Sequence, residues 1–352
     1  MKALMLTRRV DSADWLAGFA HGWIAALARH PQIDRLDVIC LAKGTVALPD
    51  NVRVRSMGKE LGYSRPRELW TFQRALAAFM PGTDVLFGHM IARYTLVALP
   101  WAWRTPIVQW YTHRHINREM RLIYPLVKRV VTSSEQSFPY GSPEKVTVLG
   151  HGIDMTAFSP NGTEPEPDLI VSVGRLSPIK HHEDLIRAAA VLRDRGMPVR
   201  VQIAGGTTPQ HGEAYAGSLR ALIAEHHLEE SVRLLGPVPH AEIADLVRRA
   251  AVTVNLCPTG GADKAVLESL ACGVPAVVRN ETFLPLLGPD ASRLHTPDLD
   301  PAHIADRLAA VLSLPSPEHA ALGARLREAV RADYALETLV DRLVGVFNEV
   351  RR

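Results

Sequence analysis

The feature that most constrains the fold is an alternation of short apolar runs with helical stretches, which breaks once and then restarts. In the first half Lys2–Leu6, Leu36–Cys40, Val52–Met57, Asp84–Phe87, Ile107–Tyr111, Val130–Thr132 and Lys145–Leu149 read as strands. In the second half Leu169–Val173, Val199–Ala204, Val232–Leu235, Val252–Leu256 and Ala276–Val278 do the same. Helical patterns at His182–Arg195, Glu213–His226, Ala241–Arg248 and Lys264–Cys272 separate them. Strands spaced by helices of about 10–15 residues imply βαβ units and parallel sheets. The break is Ser159–Pro167, rich in proline and turn formers and without apolar periodicity. A chain of 352 residues suits two domains. The expectation is therefore two doubly wound α/β domains, 1–158 and 168–334, joined by a linker at 159–167. The last stretch, 335–352, reads as an amphipathic helix, for which packing back on the N-terminal domain is one placement. Asp14 suits the cap of the first helix, with Trp15, Phe19, Trp23 and Leu27 as its buried stripe, and Glu68–Met80 suits another helix. Ligands of such sheets bind beyond the carboxyl ends of the strands, which puts the expected site in a cleft between the two domains.

Composition and missing motifs remove several classes. With 47% hydrophobic and 22% charged residues the chain reads as soluble and globular. No apolar run reaches the ~18 residues of a membrane span. The nearest, Val85–Trp103, is interrupted by His89, Arg93 and Pro100. Ala3–Leu6 is cut off by Arg8 and Arg9, too short for the core of a signal peptide. Cys40, Cys257 and Cys272 form no C-x-x-C pair, which argues against a disulfide framework or a thiolate zinc site and for a cytoplasmic chain. The sequons at Asn161 and Asn280 are then chance matches. There is no G-x-G-x-x-G, no P-loop and no G-x-S-x-G. His113 and His115 form an H-x-H that no neighbouring ligand completes, so no metal is expected.

Charge is unevenly spread. Residues 1–163 carry a net +8 and residues 164–352 a net −5. A basic first half suggests an anionic partner such as a phosphorylated ligand or a lipid head group. No nucleic-acid-binding module is recognisable, and no such partner is expected. Tyr94–Arg104, with Arg65, Arg67 and Trp70, has the basic and tryptophan-rich composition of a peripheral membrane contact. An ordinary buried helix is the competing reading.

Two segments carry chemistry. Gly174-Arg175-Leu176-Ser177-Pro178-Ile179-Lys180 follows an apolar strand and precedes a helix. Arg can fork onto two phosphate oxygens and Lys adds a mobile point charge, so this loop suits a diphosphate. Pro258–Pro275 runs from a glycine turn at Gly260 and Gly261 into a short helix ending at Gly273, with Glu268 one turn inside it. A carboxylate there can accept hydrogen bonds from vicinal hydroxyls such as those of a ribose, or it can pair with a neighbouring cation.

Together these segments resemble the C-terminal domain of the family 4 glycosyltransferases, which have the GT-B fold of two facing Rossmann-like domains. Gly174–Lys180 resembles the family's G-R-L-x-x-x-K loop, and Leu267–Pro275 the end of its L-E-A-x-A-x-G-x-P block. Leu235–Pro239 looks like its L-G-x-V loop, and Gly150–Phe158 like its domain crossover. The resemblance implies a retaining, metal-independent glycosyltransferase with a nucleotide diphosphate sugar as co-substrate, no cofactor, and an acceptor bound to the N-terminal domain. It implies that Arg175 and Lys180 neutralise the donor diphosphate beside Gly174, and that Glu268 holds the ribose. Val238 would lie near the base, and Gly261, Asp263, Lys264 and Ala265 near the donor sugar. His113 resembles the family's strand-end histidine beside the sugar, and Gly18 belongs to the loop that would approach the phosphates. The family's block has a first acid eight positions before Glu268, where this chain has Gly260, and His151 stands where the family usually has Asn. The alternatives are a sugar-nucleotide epimerase or hydrolase of the same fold, or a nucleotide-sugar-binding protein without catalysis.

Overall fold

The computed structural model describes residues 1–14, 19–207 and 212–351. The chain divides into two compact units, Met1–Gly152 with Leu336–Arg352, and Ile153–Ala335.

Unit 1 is built on seven strands: β1 (Lys2–Val10), β2 (Arg35–Lys43), β3 (Val52–Ser56), β4 (Val85–His89), β5 (Ile107–Trp110), β6 (Arg129–Thr132) and β7 (Val146–Val148). Their order is β3-β2-β1-β4-β5-β6-β7, and every pairing is parallel. Alternation sorts their side chains. Leu4, Leu6, Ile39, Leu86 and Val130 form one core with Phe72 and Leu76 of α2 (Arg65–Phe79), Ala98 of α3 (Ala92–Ala98) and Ile123 of α4 (Arg118–Ile123). Ala3, Met5, Val38, Phe87 and Val108 form the other with Trp23 and Leu27 of α1 (Phe19–Arg29) and Leu339, Leu343 and Phe347 of the C-terminal helix (Leu336–Arg351). Trp15 lies outside the described residues, and Asp14, expected as the cap of the first helix, is ion-paired with Arg9 at 3.1 Å. Helix α2 starts three residues before the expected Glu68, because Ser64 and Pro66 suit a helix entry.

Unit 2 holds β8 (Glu166–Val173), β9 (Arg200–Ala204), β10 (Val232–Gly236), β11 (Ala250–Asn255) and β12 (Ala276–Val278), all parallel in the order β10-β9-β8-β11-β12. Helices α5 (His182–Asp194), α6 (Gly212–Glu225), α7 (His240–Arg248) and α8 (Lys264–Ala271) alternate with them, and α9 (Leu284–Leu287), α10 (Ala291–Leu294), α11 (Pro301–Leu312) and α12 (Ser316–Tyr334) follow. The chain walks outward from β8 to β10 and returns to the other side of β8 as β11. The switch point, where ligands of this topology bind, therefore lies between β8 and β11.

The edges of the units differ from the sequence expectation in two places. Ile153 and Phe158 are buried in the unit 2 core, and Arg327 donates to the carbonyl oxygens of Met155 and Phe158, so 153–158 belongs with unit 2. Glu166 already pairs with Ala250 at the edge of β8, so the proline-rich stretch ends inside a strand.

Candidate functional site

The site is assembled from loops at the carboxyl edge of the unit 2 sheet. After β8 the chain passes Gly174 and Arg175, makes a 3-10 turn over Pro178–Lys180, and enters α5 through His181, whose φ of 52° is left-handed. The loop is held from the β9 side: Gly174 N donates to Ala204 O at 2.9 Å and Leu176 N to Gly206 O at 3.0 Å. A Cβ on Gly205 would overlap the carbonyl oxygen of Gly174, so only glycine allows this approach. The buried His182 ring donates from Nε2 to the Arg175 carbonyl at 3.4 Å. Burial drives the His182 pKa down to about 4, so the ring is neutral at pH 7. The Arg175 side chain itself is exposed. The Ser177 hydroxyl is buried with no hydrogen-bond partner among the described residues.

The second segment meets the first through one ion pair. Lys180 Nζ bonds Asp263 Oδ2, and the Lys180 stem runs past Gly174, where a Cβ would sit 3.3 Å from Cε. Asp263 also caps α8, accepting from Ala265 N at 3.2 Å, and accepts from Asn255 Nδ2 at 3.0 Å. Burial alone would raise the Asp263 carboxyl, but the Lys180 charge and the bonds from Lys180, Asn255 and Ala265 hold it below the ordinary carboxylate value. At Lys264, the first residue of α8, burial lowers the ammonium to about 8 against the pull of Glu268 and Asp263. Glu268, one turn further, is buried, and its Oε1 accepts from His240 Nε2 at 2.9 Å. His240 opens α7, just past Val238, and its ring packs on Phe158 with centroids 5.4 Å apart. Val238 is partly buried against the core.

The glycine turn is fixed rather than loose. Gly260 has a φ of 106°, a region in which a side chain is strained, although open space surrounds it. Its carbonyl accepts from Asn280 Nδ2 at 3.2 Å and Thr282 Oγ1 at 3.1 Å. Asn280 is itself buried.

Thus unit 2 gathers Gly174, Arg175, Lys180, Gly261, Asp263, Lys264, Ala265 and Glu268 on loops or helix starts that flank the β8–β11 switch point, with Val238 after β10. His113 belongs to unit 1, exposed just past β5, with its ring edge-on to Tyr111 at 5.3 Å. His115 is exposed, and its carbonyl accepts from the Tyr111 hydroxyl at 3.0 Å. Gly18 lies outside the described residues. Among the described residues the grouping of three metal-type ligands is His181, Glu183 and Asp184. Those groups already serve Tyr215, Arg187 and one another. Sequence reasoning missed His240 and Asn255. No motif ties either to its acid: His240 stands 28 positions from Glu268, and Asn255 stands 8 from Asp263.

The family model "Glycosyl transferases group 1" matches residues 155–331, half of the chain. The chain belongs to the group 1 glycosyltransferases. It is similar to the D-inositol 3-phosphate glycosyltransferase of Kineococcus radiotolerans, 33% identical over 153 residues covering 39% of this chain and 35% of the relative. It is also similar to the D-inositol 3-phosphate glycosyltransferase of Thermobispora bispora, 28% identical over 240 residues, or 64% and 55% of the two chains. The chain thus spans about half the length or less of these curated relatives. Among solved structures, Anabaena Alr3699/HepE in complex with UDP and glucose superimposes with a TM-score of 0.75 at 17% identity, covering 99% of this chain and 100% of the other. Such likeness bears on the fold, which is GT-B, two Rossmann-like α/β domains. No helix among the described residues is long and apolar enough to cross a membrane.

Proposed function

We propose that this group 1 glycosyltransferase is a retaining enzyme that moves a sugar from a nucleotide diphosphate sugar to an acceptor without a metal ion. The observation that carries the reading is the meeting of the Arg175–Lys180 loop with the Asp263–Glu268 helix at the β8–β11 switch point. Arg175 and Lys180 bind the diphosphate and stabilise its charge as the glycosidic bond breaks, the electrostatic work that a divalent cation can do elsewhere. Lys180 exchanges Asp263 for a phosphate oxygen, and the buried Ser177 hydroxyl offers a further donor. Glu268, whose Oε1 accepts from His240, takes the ribose hydroxyls. Lys264, Asp263 and the backbone of Gly261 and Ala265 face the sugar, and Val238 the base. In this reading His113 and Gly18 also belong to the donor-binding residues, as the family resemblance implies.

The bond between the anomeric carbon and the diphosphate oxygen breaks, and the acceptor oxygen bonds that carbon on the same face. The acceptor's proton passes to the departing diphosphate oxygen, so no protein nucleophile is needed. The UDP held by the structurally similar Anabaena protein supports a nucleotide donor. The acceptor is a glycan, lipid or small molecule, and a peripheral membrane contact is part of the reading. A thermal-shift panel of UDP-, GDP- and ADP-sugars tests it. A donor at 100 times its Kd adds about 2.7 kcal/mol of stability. Transfer that persists in EDTA supports the metal-free step. Release of free sugar without any acceptor would instead mark an epimerase or hydrolase.

A further inference from the structure

We propose, resting on the peripheral membrane contact of the reading above, that unit 1 docks on the surface of an anionic phospholipid bilayer through the outer side of α2, α3 and α4, with the cleft beside Trp103 taking a lipid phosphate. The inward sides of these helices are spent on the core. The outward side is not polar. Trp70 is 58% and Trp103 73% exposed, and Leu69, Trp101, Leu122 and Leu126 are exposed with them. An exposed apolar group of this size on a basic surface is informative where a single exposed leucine is not.

Its charge is one-sided. From Arg65 to Lys128 the sequence carries nine Lys and Arg against three acids. Each acid is already engaged: Glu68 with Lys59 at 3.7 Å, Asp84 with Arg351 at 3.3 Å, Glu119 with Arg93 at 2.7 Å. The guanidinium groups of Arg74 and Arg104 lie 4.7 and 4.0 Å over the rings of Trp70 and Trp103. A cation held flat on an exposed indole offers an apolar body and a charged tip at one depth, which is the chemistry of a membrane interface.

The cleft gives the phosphate a place. It has a volume of about 560 Å³ and includes Trp103, Arg104, Leu126, Lys128, Ile107 and Arg351 in its lining. Ile107 opens β5 and Lys128 directly precedes β6, so the cleft lies at the amino edge of the sheet. His113 lies past the carboxyl end of β5, at the other edge. Arg104 and Lys128, with Arg351 already paired to Asp84, stand beside an apolar lining and suit an anion attached to a hydrocarbon or glycerol body. A second copy of this chain on the same face would meet like charge. Stacked single-stranded nucleic acid would use the tryptophans but gains nothing from Leu69, Leu122 and Leu126, whereas these side chains can enter the acyl boundary.

The test is sedimentation of the full chain with phosphatidylcholine vesicles, with and without phosphatidylglycerol, while tryptophan emission is followed. Binding should require phosphatidylglycerol, shift the emission to the blue and weaken with salt. Arg74→Gln, Arg104→Gln and Lys128→Gln should each lower partitioning about fivefold, and together about a hundredfold. Trp70→Ala with Trp103→Ala should remove most of the blue shift. All five positions are exposed, and a melting curve checks that the variants fold. If the tryptophan variant does not fold, the glutamine set alone decides. Failure to bind, equal binding to neutral vesicles, partitioning unchanged in the glutamine set, or tighter binding to single-stranded poly(U) than to vesicles at the same salt would overturn the proposal.

Discussion

His240 Nε2 lies 2.9 Å from Glu268 Oε1, joining the first residue of α7 to a buried carboxylate of α8. This bond fixes the rotamer of the carboxylate that the proposed reading gives to the ribose. His240→Ala should therefore weaken nucleotide-sugar binding through Glu268. A hydrogen bond to a charged group contributes about 1.5–3 kcal/mol, so Kd should rise by roughly 10- to 100-fold, and His240→Asn should recover part of it. Calorimetry with the ribonucleotide and its 2′-deoxy analogue checks the assignment: the loss should be smaller for the analogue. An equal loss for both would remove Glu268 from the ribose.

Arg175 and Lys180 separate binding from folding. Arg175 is exposed, so Arg175→Ala should leave the melting temperature unchanged and cut turnover by about 10²–10³-fold. Lys180→Ala should cut turnover similarly and also destabilise the protein, because it strips Asp263 of its cation. Kinetics paired with thermal melts of both variants decide this. Full rate in both would reject the diphosphate assignment.

His182 predicts a pH dependence. Its folded pKa, about 4, is below the ordinary 6.5, so between those values the unfolded chain binds a proton that the folded chain does not. Stability should then fall as pH drops from about 6.5 to about 4, by about 3 kcal/mol from this group. His182→Gln, which keeps a donor for the Arg175 carbonyl, should flatten that part of the curve. Urea unfolding across the window measures it, and an unchanged slope in the variant would refute the cause.

Gly260 tests whether the missing acid is a loss of side chain or a change of backbone. With φ at 106° and open space around its Cα, Gly260→Glu should fold but lose about 1–2 kcal/mol. If the turn relaxes to accept the acid, donor selectivity among nucleotide sugars should change. If it does not, only stability should fall. Melting curves and a donor panel on the variant distinguish the two.

Much of this protein is legible in the chain because period and punctuation are local. The strands of both sheets, the glycine that ends α8 and the Arg175–Lys180 loop follow from apolar runs bounded by turn residues, and the family motifs sit on those same stretches. Short helices such as α3 and α4 carry too few turns to show a period, and α2 begins at a Ser64–Pro66 entry ahead of its hydrophobic spacing. What the tertiary structure alone decided is which side chains meet. Lys180 finds Asp263, and His240 finds Glu268, because β8, β10 and β11 lie parallel and deliver their loops to one edge of the sheet. It also decided that 153–158 and the C-terminal helix each pack where their apolar side chains are buried, with Phe158 in one core and Phe347 in another. Sequence sets what each segment can bury; which surfaces become neighbours depends on contacts between residues tens to hundreds of positions apart, and no local pattern encodes those.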